Sequence, residues 1–169
     1  MKIQNSFAKL NDFKRIKKFF TLLDNEFFPK LSERKHGEDL DSLLKKSFGK
    51  GNIGIAEIDN NIVAVCTYWI EEEKATITAT GVSKQFRGTP ILYNLSAYML
   101  EKEKGKPIKK IRVKTWSSNS KTKMILKKIG FRKMEIIRED LHKNRISEIY
   151  EIDFDLLKSY FGIPKHNSS

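Results

Sequence analysis

Thr78-Ala-Thr-Gly-Val82-Ser-Lys-Gln-Phe-Arg87-Gly-Thr-Pro90, followed by apolar residues at Ile91, Leu92, Leu95, Tyr98 and Met99, decides how the rest of the chain is read. β-Prone residues run to Val82, a short basic loop carries Gln85, Arg87 and Gly88, and the apolar spacing after Pro90 marks one helix face. The segment predicts strand, loop, helix. Thr89 is expected to cap the helix and Pro90 to open it, where the missing N–H costs nothing. Unpaired amides and the dipole at such an end attract anions, and Lys84 and Arg87 add charge beside it. A phosphate or diphosphate is the ligand expected there; a solvated basic turn has the same signature.

At 169 residues and 39% hydrophobic, the chain is read as one globular domain over 1–161 with 162–169 a flexible tail. The net charge of +12 favours acidic partners such as nucleic acid, phosphates or anionic surfaces. Its lysines are nevertheless spread over every segment, which is also what a generally lysine-rich composition gives. Trp116 with Arg112 and Lys114 is the place where nucleic acid could be held, or where a strand tryptophan simply packs. Cys66, the lone cysteine, excludes an internal disulfide and lies in an apolar strand. With no apolar leader and no run long enough to span a bilayer, a soluble cytoplasmic protein without membrane contact is expected. His36, His142 and His166 match no ligand spacing, so no metal is expected.

Outward from the opening stretch, the pattern reads as a first strand within Lys2 to Lys9 and a helix capped by Asn11 or Asp12 that buries Ile16, Phe19, Phe20 and Leu23. A loop with Phe27, Phe28 and Pro29 follows, then a helix from about Glu38 to Phe48 that stops at Gly49 and Gly51. Ile53 to Ile58 and Ile62 to Ile70 form a hairpin across Asp59-Asn60-Asn61, and Ala75 to Val82 is the third strand of the meander. After the Ile91 helix come a strand from Ile108 to Trp116 and a helix through Thr122, Leu126 and Ile129, closed by Gly130 with Phe131 beyond it. A last hairpin, Met134 to Glu139 and Ile146 to Phe154, crosses His142-Lys143-Asn144, and Asp155 to Phe161 makes a terminal helical turn.

This β-α-α-β-β-β-α-β-α-β-β order, with Val82-x-x-x-x-Arg87-Gly88 and then Asn119-x-x-Thr122-x-x-x-Leu126-x-Lys128-x-Gly130-Phe131, resembles the GNAT superfamily of acyl-coenzyme A dependent N-acetyltransferases. Phe27-Phe28-Pro29-x-Leu31-Ser32-x-Arg34 is similar to a loop of many bacterial and archaeal members. The resemblance implies an α/β (α+β) fold: a mixed, mostly antiparallel sheet of about six to seven strands flanked by about four helices. It also implies acetyl-coenzyme A as donor and direct transfer to a primary amine of a small molecule or peptide, in a monomer or homodimer. Gln85, Phe86, Arg87, Gly88 and Thr89 would hold the diphosphate, Gly81 and Val82 would pair with pantetheine, and Asn119 would touch the same arm. Phe27, Phe28 and Arg34 would face the acceptor.

Two departures stand out. Pro90 and Leu92 occupy positions where the family's phosphate loop has small residues, removing one amide donor and adding bulk. Leu126 replaces the tyrosine that protonates the leaving thiolate in many members, which leaves Thr122, Ser120 or water for that task, unless the hydroxyls only cap the helix. Glu57, Glu26 or a water relay is the expected base. A catalytically weakened module that binds nucleic acid or a ribosomal partner is the alternative.

Overall fold

The computed structural model describes residues 2–139 and 145–164. Runs of alternating apolar residues form seven strands: β1 (Ile3–Phe7), β2 (Gly51–Ile58), β3 (Asn61–Glu71), β4 (Lys74–Val82), β5 (Lys110–Trp116), β6 (Arg132–Glu139) and β7 (Arg145–Asp153). They make one sheet in the order β1-β2-β3-β4-β5-β7-β6. Neighbours are antiparallel except β4 and β5. The hairpin between β2 and β3 turns on Asp59 (φ 49°) and Asn60 (φ 63°), the left-handed pair that matches strand twist.

Five helices among the described residues cover the sheet: α1 (Phe13–Leu22), α2 (Leu40–Lys50), α3 (Ile91–Glu103), α4 (Ser120–Ile129) and α5 (Phe154–Tyr160). α1 and α2 lie on one face, where Ile16, Phe19, Phe20, Leu43 and Leu44 pack on Ile53, Ile55, Val65 and Ala79. α3, α4 and α5 lie on the other, where Ile91, Leu95, Met99, Leu126 and Leu157 meet Ala64, Cys66, Ala75, Ile111, Tyr150 and Ile152. Each buried Ile, Leu, Val, Phe or Met among them contributes about 1.5–3 kcal/mol, so both layers are anchored mainly by apolar area.

Helix ends differ from the sequence expectation for local reasons. α2 begins two residues later than expected because Asp39 caps it, accepting from the Ser42 amide (3.1 Å). It runs through Gly49 to Lys50, and Gly51 opens β2, where a Cβ would stand 2.1 Å from the Tyr68 carbonyl oxygen. The cap position of α3 falls on Pro90 and not on Thr89, so Ile91 opens the helix: the Thr89 hydroxyl donates to the Phe86 carbonyl (2.6 Å) and caps nothing. Gly130 ends α4 at φ 109° as expected, with the Phe131 amide donating to Leu126. The expected fraying from Gly162 is not what Ile163 does, since it is buried and its amide donates to Lys158 (2.9 Å). The expected hairpin tip at His142-Lys143-Asn144 lies outside the described residues.

Candidate active site

β4 pairs with β5 only from Lys74 to Ile77, against Lys110 to Val113. Beyond that, the two parallel strands part and leave a gap between Thr78–Val82 and Lys114–Trp116. The parting coincides with a bulge, because β3 steps from Tyr68 opposite Ile77 to Thr67 opposite Ala79, leaving Thr78 extra. Thr67, fully buried, secures the bulge: its hydroxyl lies 2.7 Å from the Thr78 hydroxyl and accepts from the Ala79 amide (3.0 Å).

The gap has a hydrogen-bonding edge. Ser83 donates to Val63 (2.9 Å), and Val65 and Ala64 stand opposite Gly81 and Val82. Antiparallel alternation therefore turns the main-chain groups of Gly81 and Ser83 toward β3 and those of Thr80 and Val82 toward the gap. Gly81 serves a different end from the expected pairing. A Cβ there would stand 2.8 Å from Leu23 and 3.0 Å from Phe19, so glycine lets α1 lie directly against β4. Thr80 is the gap-facing residue that the sequence did not single out.

At the mouth of the gap, Ser83 to Gly88 form a 3-10 turn over Lys84–Phe86. The Phe86, Arg87 and Thr89 amides donate within it to Ser83, Lys84 and Phe86, while Gln85 and Gly88 are exposed. Gly88 has φ 78° with nothing within 4 Å of a Cβ, so backbone conformation, not close approach, calls for glycine. The first bond of α3 runs from Asn94 to Pro90 (2.8 Å), which leaves the Ile91, Leu92 and Tyr93 amides without intrahelical acceptors. Amides without an acceptor at this end thus extend past the Gln85 to Thr89 stretch into the first turn of the helix. Arg87 turns the other way: its Nε donates to the Val82 carbonyl (3.2 Å) and Nη2 pairs with Glu26.

On the β5 side, Asn119 caps α4, accepting from the Thr122 amide (3.3 Å) and donating to the Thr115 hydroxyl (3.1 Å). Ser120 is exposed at the first turn and Thr122 half-buried. Leu126 is buried in the core, so α4 presents no acid there. Glu57 is not brought to the gap; it sits on β2, two strands from β4, and pairs with Arg15. Across from the mouth, Phe27 packs edge-on against Phe20 (5.9 Å), Phe28 is exposed, and Arg34 donates to the Pro29 carbonyl (3.3 Å). Asp24 holds this segment by accepting from the Ser32 amide (3.1 Å) and hydroxyl (2.5 Å).

Cys66 is buried one strand away, and burial pushes its thiol up to about 11. Among the described residues, no group of three or more His, Cys, Asp or Glu could hold a metal ion. No helix among them is long and apolar enough to cross a membrane.

No protein-family model matches this sequence, and no curated protein matches it. Solved structures do. The ribosomal-protein-S18-alanine N-acetyltransferase of Escherichia coli superposes with a TM-score of 0.67 at 11% identity, covering 90% of this chain and 94% of that one. A GNAT-family acetyltransferase from Staphylococcus aureus gives 0.70 at 16%, with 90% and 99% covered. One from Bacillus cereus gives 0.62 at 19%, with 90% and 98% covered. At such identities the likeness is one of architecture, and it extends over nearly the whole of each chain. With the bulged β4, its parting from β5 and the uncapped α3 between them, the protein has the fold of the GNAT acetyltransferases.

Proposed function

We propose that this protein is an N-acetyltransferase that moves an acetyl group from acetyl-coenzyme A to a primary amine by direct attack, without an acyl-enzyme. The observation that carries this is the gap itself: a strand edge that turns the Thr80 main-chain pair and the Val82 amide toward it, ending beside a helix whose first-turn amides have no intrahelical acceptor. An extended amide-bearing arm can add to such an edge as a strand would, while the attached diphosphate meets Ile91, Leu92 and Tyr93. Pro90 supplies no amide and Gly88 no obstruction, so the first turn does the work assigned by sequence to Gln85, Arg87 and Thr89. Asn119, as cap of α4, bounds the gap opposite.

Bound acetyl-coenzyme A supplies an activated acyl group on a good leaving thiolate. A main-chain amide of Thr80 or Val82 beside the carbonyl oxygen stabilises the negative charge that develops there. The acceptor enters past Phe28 and Arg34. Its ammonium must lose a proton, and since Glu57 and Glu26 are both ion-paired, water relays that proton. Ser120, Thr122 or water returns one to the departing thiolate. Cys66, buried and held neutral, takes no part.

The nucleic-acid alternative loses support at Arg112, which gives both Nε (2.8 Å) and Nη2 (2.7 Å) to Glu151. Thiol release from acetyl-coenzyme A over a panel of small amines, amino sugars and peptides tests the proposal. Amine-dependent release is the expected result; cofactor binding without release for any acceptor class, together with salt-sensitive RNA retention, would transfer the assignment to the binding module.

A further inference from the structure

We infer that Glu26 and Arg87 are a positioning pair that fixes the acceptor-side segment against the edge of β4, so that Arg87 acts toward the acceptor and not toward the diphosphate. This rests on the transferase reading above for which side of the gap is which. The guanidinium joins three parts of the chain. It belongs to the turn before α3, its Nε holds the Val82 carbonyl at 3.2 Å, and its Nη2 pairs with Glu26, 61 residues earlier.

Direction follows from the layers. Glu26 continues from α1, which covers one face of the sheet, whereas the first turn of α3 packs on the opposite face. A guanidinium that reaches Glu26 is therefore turned away from the α3 amides. Its charge is also matched by the carboxylate, which leaves little field for an anion on the other side. Glu26 transmits what it feels, because its 3-10 turn is knitted to the rest of the segment. The Glu26 amide donates to Leu23 (2.9 Å) and the Phe27 amide to Asp24 (3.1 Å), while Asp24 holds Ser32. Phe28 and Arg34, the residues that flank the acceptor route, ride on that turn. Val82, at the other end of the contact, has its carbonyl held by Arg87 and keeps its amide toward the gap, so the acceptor segment is tied to the gap edge.

Hydrogen exchange of the ligand-free protein separates this from a phosphate-binding role. Glu26→Gln and Arg87→Ala should each speed exchange of the amides between residues 26 and 33 about two- to fivefold, the range for a solvent-exposed pair. The double variant should be no faster than either single one. Coenzyme A affinity, by calorimetry, should stay within about twofold of wild type in all three, since a shift of that size is under ~0.5 kcal/mol. Arg87→Lys, which keeps the charge but loses the fork, should behave like Arg87→Ala in exchange. Unchanged or additive exchange overturns the inference. So does a tenfold or greater loss of coenzyme A affinity in Arg87→Ala that Glu26→Gln does not share. A wild-type protein that binds no coenzyme A overturns the transferase reading, and the acceptor role with it, even where the exchange coupling holds.

Discussion

Gly81→Ala is the substitution that most directly probes how α1 and β4 are fitted together. The new methyl carbon would stand 2.8 Å from Leu23 Cδ1, 3.0 Å from Phe19 Cε1 and 3.4 Å from Phe20 Cε1. Ordinary carbon contacts lie near 3.6 Å, so the two closest neighbours must yield by roughly 0.8 and 0.6 Å. Leu23 can swing its terminal methyl. Phe19 cannot, because its ring is buried and packed edge-on against Phe20 at 5.7 Å. Helix α1 must then lift, or β4 must shift away from it. Overpacking of this kind costs about 1–3 kcal/mol, which for a domain of this size lowers the unfolding midpoint by about 2–4 °C per kcal/mol. Urea titration followed by far-ultraviolet circular dichroism measures the loss, and coenzyme A titration of the same variant should show weaker binding, because Val82 is the next residue along the displaced edge. A variant as stable as wild type within about 0.5 kcal/mol would refute the close fit of helix and strand.

Two further predictions concern charge and burial. Asp39→Ala should cost about 0.5–2 kcal/mol through loss of the α2 cap. The Ser42 hydroxyl and amide pull the Asp39 carboxyl down to about 2, so its contribution is complete above the unfolded value near ~4 and disappears as pH falls toward 2. Stability curves of wild type and variant should therefore converge at the acid end. Tyr150→Phe should cost about 1.5–3 kcal/mol, because the buried Tyr150 hydroxyl donates to Glu148 at 2.6 Å, a carboxylate that Lys123 (3.6 Å) and Lys133 (4.0 Å) approach less closely. In wild type, burial and Glu148 push the Tyr150 hydroxyl up to about 12, so its contribution is full below ~10 and fades as pH rises toward 12. Denaturant midpoints across the alkaline range should show that decline in wild type and not in the variant.

Much of this architecture was written in local patterns. Periodicities of apolar residues marked the α-helices and strands of the described residues, and Asp59-Asn60 and Gly130 marked turns that depend only on backbone conformation. Such signals are short-range, which is why they survive in a single sequence. The site itself depends on contacts between distant segments. Nothing in Thr76-Ile-Thr-Ala-Thr80 announces that Thr78 bulges or that β5 departs there, since both follow from pairing with strands that lie on either side. The resemblance gave Gly81 a main-chain pairing with pantetheine; what its missing side chain admits is α1, more than fifty residues earlier. Arg87 looked like a phosphate contact because arginine beside a helix start usually invites that view, and its pairing with Glu26 shows only in the tertiary structure. Thr89 was a sound cap by type, but its hydroxyl found the Phe86 carbonyl closer. The run of repeated threonines on β4 was the available hint of an unusual strand edge.

Calorimetric titration of coenzyme A into wild type and Val82→Pro addresses the strand edge itself. The Val82 amide faces the gap and not β3, so proline removes a donor without breaking the ladder, a tolerance that an unchanged urea midpoint would verify. Wild type should bind coenzyme A, and the variant should bind it at least tenfold more weakly, a loss of about 1.4 kcal/mol. Equal affinity in the two proteins, or no heat from wild type at saturating ligand, would contradict the placement of the acyl carrier along β4.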